Sequence, residues 1–325
     1  MLRAGASLAA GTAALYEGKQ QLFRVSPFRC SGLLELAAAD GGKRIGDARV
    51  SQDELFEFLQ SLAADLNGKL VKLPSFPDVV VRIRAALDDP DTTGEDIETI
   101  LHMDAVLASR MLILANSAYY NPGGNKVESL NAAVSRIGFE QVRTAAISYA
   151  LEQLYASEDL KPLKHELRKT WTAGLSLASL SEAIARKCTN LDADSAFVAG
   201  LLNRIGVLYI FSKYKEYPTI LESEDARQEL IDEWAAPIGE SIVANWDFPD
   251  EIIATMNPKS DSGETYREEA NLADIVTTAR LSLSGDETDW HESAGAKRLQ
   301  LDTKKMASII DMYEQRLESL TTALH

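Results

Sequence analysis

The sequence predicts an all-α protein, and two observations carry that prediction. From residue 51 onward, apolar residues recur at three- and four-residue spacing in segment after segment, and no stretch alternates as a strand does. The run from Ser195 to Phe211, SAFVAGLLNRIGVLYIF, is the most apolar in the chain. Its Phe197, Val198, Leu201, Leu202, Ile205 and Leu208 occupy nearly the whole circumference, as in a helix buried on every side. Only Asn203 and Arg204 interrupt it, where polarity costs most. Gly200 leaves room for a neighbouring element, and Gly206 offers a place for a first helix to end before Val207–Phe211 restarts.

Taken in order, residues 1–50 form an arm or extension with no readable periodicity beyond a possible short extended piece at Gln20–Arg29. Ser51 and Glu54 make a capping box that opens a helix burying Leu55, Phe58, Leu59 and Leu62. Pro77 suits the first turn of the next helix, striped by Val80, Ile83 and Leu87. A cap at Thr92 or Thr93 starts a short helix with Ile97, Ile100 and Leu101, and Asp104 caps one running through Leu107, Met111 and Leu114 to Asn116. Tyr119–Lys126 is a loop. Ser129 opens a helix that closes at Gly138, and Phe139–Tyr155 is a further amphipathic helix. A long helix ends at Cys188, and Asp192 or Asp194 caps the central apolar run. Pro237–Trp246 and Pro249–Met256 read as two short helices with proline in the first turn, and Ala270–Leu283 and Thr303–Leu320 close the chain.

Composition excludes several classes of function. With 325 residues, 46% hydrophobic and 25% charged, a sizeable core is available. No apolar run approaches the roughly 18 residues that cross a bilayer, so no membrane contact is expected. The net charge of −16 repels phosphate backbones, and the densest basic stretch, Lys161–Lys169, is broken by Glu166 and reads as one solvated helix face, so no nucleic-acid partner is expected. Two cysteines, Cys30 and Cys188, make neither a disulfide framework nor a metal spacing, which places the chain in a reducing cytoplasm. Of the four histidines, His102 reads as a partly buried structural residue and His165 as solvent-facing.

The segments LPSFPDVVVRIRAAL, IETILHMDAVLASRMLILANSAYY and LNAAVSRIGFEQVRTAAI, with Trp171, the AGLLxxIG core and PIGESIVANWDFPDEII, resemble the HDOD domain, an HD-related output domain of bacterial signalling proteins. The resemblance spans roughly residues 70–260, and ANSAYY (Ala115–Tyr120) is its most specific word. It implies a two-lobed helical HDOD/HD-like fold, with one helical lobe over 51–156 and an HD-like lobe over 157–325. HD phosphohydrolases bind divalent metal through an early His, an adjacent His–Asp pair and a distal Asp, and activate water with it. Carried over position by position, those ligands are Ala173, Asn203, Arg204 and Asp274 in this chain. One carboxylate beside a guanidinium does not hold a catalytic metal, so neither metal, cofactor nor catalytic residue is expected. These four are vestigial metal-site positions. Arg204 either takes the metal's place and pairs with Asp274, or points to solvent while Asp274 caps its own helix.

Asn116 and Ser117 either end their helix or line a cleft, and Tyr119 and Tyr120 are candidate partner contacts. The resemblance implies a non-enzymatic output or scaffold domain contacting signalling proteins in trans. The alternatives are a residual metal-dependent phosphohydrolase or phosphodiesterase, and a nucleotide-sensing module.

Overall fold

The computed structural model describes residues 52–67, 78–156, 158–246, 248–257, 269–284 and 290–324. Among them there is no strand, and fifteen α-helices follow one another with three short 3₁₀ turns. The arm over 1–50, the cap at Ser51 and Pro77 lie outside the described residues.

α1 (Gln52–Asn67) buries Leu55, Phe58, Leu59 and Leu62. α2 (Asp78–Leu87) buries Val80 and Ile83. α3 (Gly94–Leu101) opens on a reciprocal box in which Asp96 N–H donates to Thr93 Oγ1 at 3.3 Å and Thr93 N–H to Asp96 Oδ2 at 2.9 Å. α4 (Ala105–Asn116) starts at Asp104, whose Oδ1 accepts from the N–H groups of Val106 and Leu107. α5 (Leu130–Ile137) runs from Ser129 to Gly138, where φ is 85°, a backbone conformation that favours glycine.

α6 (Phe139–Tyr155) departs from the expected amphipathic helix. Val142, Ala146, Ile147, Tyr149, Ala150, Leu151 and Leu154 are buried, and so are Gln141, Thr144 and Ser148. Helices α2, α4 and α5 pack on it, as do the helices Lys164–Cys188 and Ala193–Leu202, and only Glu140 and Gln153 are left exposed. His102 also departs from expectation: it lies exposed just past α3, 3.7 Å from the carboxylate of Glu98.

The centre is a pair of helices read correctly as the most apolar stretch. α7 (Lys164–Cys188) lies along α8 (Ala193–Leu202), and α9 (Ile205–Ser212) follows after a turn at Asn203–Arg204. Every residue from Ala196 to Leu202 and from Ile205 to Phe211 is buried. Together Ala193–Lys215 is long and apolar enough to cross a bilayer, against the expectation from the sequence, yet 78% of its most apolar window is buried inside the fold. Gly200 acts as read: a Cβ there would stand 2.7 Å from Ala178 Cα on α7. Gly206 does not end a helix but lies inside α9, where a Cβ would stand 1.9 Å from the carbonyl oxygen of Ala235. The two backbones cross in contact because the glycine is there.

Ala235 belongs to α11 (Glu224–Asn245), reached through the short α10 (Pro218–Glu222). The sequence places a helix start at Pro237, but α11 passes through it. Pro237 cannot donate back along the helix, a loss of about 3 kcal/mol in an interior position. Buried Leu230, Trp234, Ile238, Ile242 and Val243 on both sides of the proline anchor one continuous helix against α9. α12 (Asp250–Ile253), α13 (Leu272–Leu283), α14 (Ala294–Arg298) and α15 (Thr303–Leu324) complete the chain. α13 and α15 both pack on α7, and α15 reaches α4.

Candidate functional site

The four positions carried over from the metal-binding superfamily come from α7, the α8–α9 turn and α13. α7 brings Ala173 and Gly174 to the turn: a Cβ on Gly174 would lie 3.6 Å from Leu201 O and 4.0 Å from Arg204 Cγ. Asn203 Nδ2 donates to the carbonyl of Thr255 at 3.4 Å, tying the turn to the end of α12. Asp274 is buried in the first turn of α13, which packs on both α7 and α8.

Asp274 does not pair with Arg204. Its Oδ2 accepts from Asn271 N–H at 3.1 Å and from Arg298 Nε at 2.9 Å, and its Oδ1 accepts from Arg298 Nη2. The carboxylate therefore caps its own helix, as one of the two sequence alternatives held for Asp274, and is clamped by a guanidinium that sequence reasoning missed; the same alternative sent Arg204 to solvent, whereas its Nε is buried. Gly295 explains the geometry. A Cβ there would meet Thr278 Oγ1 at 2.8 Å and Asp274 O at 3.0 Å, so only a glycine lets α14 seat on α13 and deliver Arg298 one turn later. Arg204 is left beside Gly174 with its Nε buried and unpartnered, while its carbonyl accepts from the hydroxyl of Tyr155 at 3.2 Å. Burial and the neighbouring Arg204 charge push the pKa of Arg280 down.

This donor set does not fit a catalytic divalent metal. Alanine offers no ligand, an arginine repels a cation, and the single carboxylate is already engaged by another arginine. Among the described residues no group of three or more His, Cys, Asp or Glu side chains converges.

A second cluster forms around Arg316 of α15, which is only 2% exposed. Its Nε donates to Glu182 Oε2 at 2.7 Å, its Nη1 to Tyr120 Oη at 2.9 Å and its Nη2 to Gln141 Oε1 at 2.7 Å. The rings of Tyr119, Tyr120 and Phe197 surround the guanidinium at 5.1–5.5 Å. Glu182 Oε1 accepts from Arg186 Nε at 3.1 Å and Nη2 at 2.9 Å, and Asp194 accepts from Gln141 Nε2. Burial, with Glu182 and Asp192 nearby, pushes the Asp194 carboxyl up to about 6. Asp192, not Asp194, caps α8, its Oδ2 accepting from Ser195 N–H at 2.7 Å.

The ANSAYY word supplies the other wall of this cluster. Asn116 Nδ2 donates to Leu112 O and Val127 O and its Oδ1 accepts from Val127 N–H, each at 2.8 Å, so the side chain ends α4 and pins the following loop. Ser117 Oγ donates to Leu114 O at 2.8 Å and accepts from Ser319 Oγ at 2.9 Å. Tyr119 and Tyr120 are half-buried against Arg316 rather than offered to a partner, because the last helix covers them. Glu182 and Arg316 were missed in the sequence. Glu182 did leave a signal, as the lone charge in the apolar stretch from Thr170 to Ala185.

The HDOD domain profile matches residues 73–262, more than half of the chain. The chain belongs to the HDOD family. A curated relative from Treponema pallidum (strain Nichols), described as an uncharacterized protein, is 26% identical over 234 residues. That alignment takes in 68% of this chain but 44% of the relative, so the chain spans less than half of that protein's length. Among solved structures, a protein of Shewanella amazonensis SB2B provisionally named a metal-dependent phosphohydrolase superposes with a TM-score of 0.68 at 22% identity, covering 82% of this chain and 99% of its own. An HDOD domain protein of unknown function from Geobacter sulfurreducens gives 0.60 at 20% identity over 82% and 98%. A protein of Marinobacter aquaeolei VT8 provisionally named a signal transduction protein gives 0.57 at 19% identity over 84% and 66%. At these identities the likeness establishes the HDOD helical fold.

Proposed function

We propose that this HDOD protein is a bacterial signal-transduction output module that acts by contacting another signalling protein in trans and carries out no metal-dependent hydrolysis. The observation that carries the reading is the state of Asp274. The one carboxylate retained from the parent metal site is held by both donors of Arg298, and Ala173, Asn203 and Arg204 stand at the other ligand positions. A side chain so engaged is structural: it fixes α14 to α13 instead of coordinating an ion.

A contact role is further supported by an apolar stripe at the start of and along α4. Val106 is 52% exposed and Ile113 41%, seven residues apart on one side of the helix, and Met103, just before its cap, is 58% exposed. The strongly acidic chain disfavours nucleic acid as the partner. A bacterial cytoplasmic setting, with Cys188 a free thiol, belongs to the same proposal.

The test is a phosphodiesterase assay of the purified chain with added Mg²⁺ or Mn²⁺, together with metal analysis. No turnover and no stoichiometric Mn, Fe or Zn are expected. Turnover that disappears in Asp274→Ala, with the variant still folded, would overturn the reading in favour of a residual hydrolase.

A further inference from the structure

A cleft of about 460 Å³ opens where the end of α6 meets the start of α7. Its volume lies in the range of small-molecule sites. Tyr155, Leu160, Leu167 and Trp171 make its apolar lining, with the rings of Tyr155 and Trp171 5.6 Å apart and tilted by 48°. The floor is fixed in place: the Tyr155 hydroxyl donates to Arg204 O at 3.2 Å, and burial raises the phenol's pKa so that it keeps its proton. Tyr155 thus holds a set geometry under an open mouth, with Trp171 tilted against it.

The mouth is cationic. Lys161, Lys164 and Arg168 line it, at three- and four-residue spacing along the 3₁₀ turn Glu158–Leu163 and the first two turns of α7. The one acid in the lining, Glu152, is ion-paired with Arg110. Lys164 and Arg168 make no ion pair among the described residues. This arrangement conflicts with local stability on two counts. Like charges four residues apart on a helix repel. Cations in the opening turns also stand at the positive end of the macrodipole of a 25-residue helix, where anions are favoured. In a chain of net charge −16, Lys164 and Arg168 in the opening turns of a helix beside an aromatic-floored cleft form a local frustration that a bound anion would relieve.

We propose that this cleft binds a phosphate ester carrying a flat ring, a ligand of the nucleotide class. The phosphate meets Lys161, Lys164 and Arg168, and the ring lies against Trp171 and Tyr155. The cleft adjoins two of the positions carried over from the metal site, Arg204 through the Tyr155 hydroxyl and Ala173 next to Thr172 of its lining, but it needs no turnover, so the proposal stands whether or not the protein proves to hydrolyse anything.

Isothermal titration of the full chain tests it, with AMP and GMP as probes and adenosine and inorganic phosphate as the two halves of the ligand. At least one nucleotide is expected to bind at least tenfold more tightly than either half, and more weakly as salt is raised. The double variant Lys164→Glu/Arg168→Glu changes exposed residues and should keep its circular dichroism while losing at least tenfold in nucleotide affinity. Trp171→Ala should erase the advantage of nucleotide over phosphate, and Trp171→Phe, which retains a ring, should preserve it. Nucleotides that bind no better than phosphate up to millimolar concentration, or unaltered nucleotide binding by the double variant, would overturn the proposal.

Discussion

Arg298 holds Asp274 and Arg204 does not, so their substitution should have very different effects. Removing Arg298 strands Asp274, which is 5% exposed, and leaving a buried carboxylate without its charge partner costs about 3–5 kcal/mol. Removing Arg204 strands no acid and relieves Arg280, so its cost is packing alone, about 1 kcal/mol or less. Urea denaturation of Arg298→Ala and Arg204→Ala should show that order; the reverse would mean that Arg204 neutralises the site after all. Asp194 adds a pH dependence. Its carboxyl rises from an ordinary 3.8 to about 6 in the fold, so the folded state holds the proton more tightly than the unfolded chain. Stability from this group is present below the unfolded value and is lost as pH rises through about 6, by about 2–3 kcal/mol. Asp194→Asn, which keeps an acceptor for Gln141, should therefore raise the melting temperature at pH 8 and change it little at pH 4. An equal gain at both pH values would refute the assignment.

At the level of helices, the caps and the stripes were legible because each is set by residues a few positions apart. Asp104, Ser129 and Gly138 act where the sequence places them, and Thr93 and Asp192 each act as one of the two caps the sequence allowed. Failures came where contacts distant in sequence decide the outcome. Pro237 looks like a helix start until α9 is seen to support residues on both sides of it. Gly206 looks like a stop until the carbonyl of Ala235 is found against it. α6 looks one-sided until helices are found packed around most of it. Ala173, Asn203, Arg204 and Asp274 were carried over by resemblance, and the structure packs α7 against α8 and α13, the helices that flank them. The partner of Asp274 was not legible, since nothing local distinguishes Arg298 from any other cation at a helix end.

At the scale of the molecule, the fold is tied together by one side chain from its far end. Arg316 reaches Tyr120 across 196 positions of sequence, Gln141 across 175 and Glu182 across 134. Before α15 docks, Glu182 lacks this buried partner and the two tyrosines lack their cover. The α4–α5 loop and α15 are therefore not two independently fluctuating surfaces but one cooperative unit of opening. In amide hydrogen exchange, residues 117–121 and 308–319 should lose protection at a common free energy, although one is a loop and the other a helix. Arg316→Gln should lower that shared opening energy while leaving the protection of α8 and α9 close to the global value. Separate exchange energies for the two segments in the unaltered protein would show that the loop holds its shape without the helix.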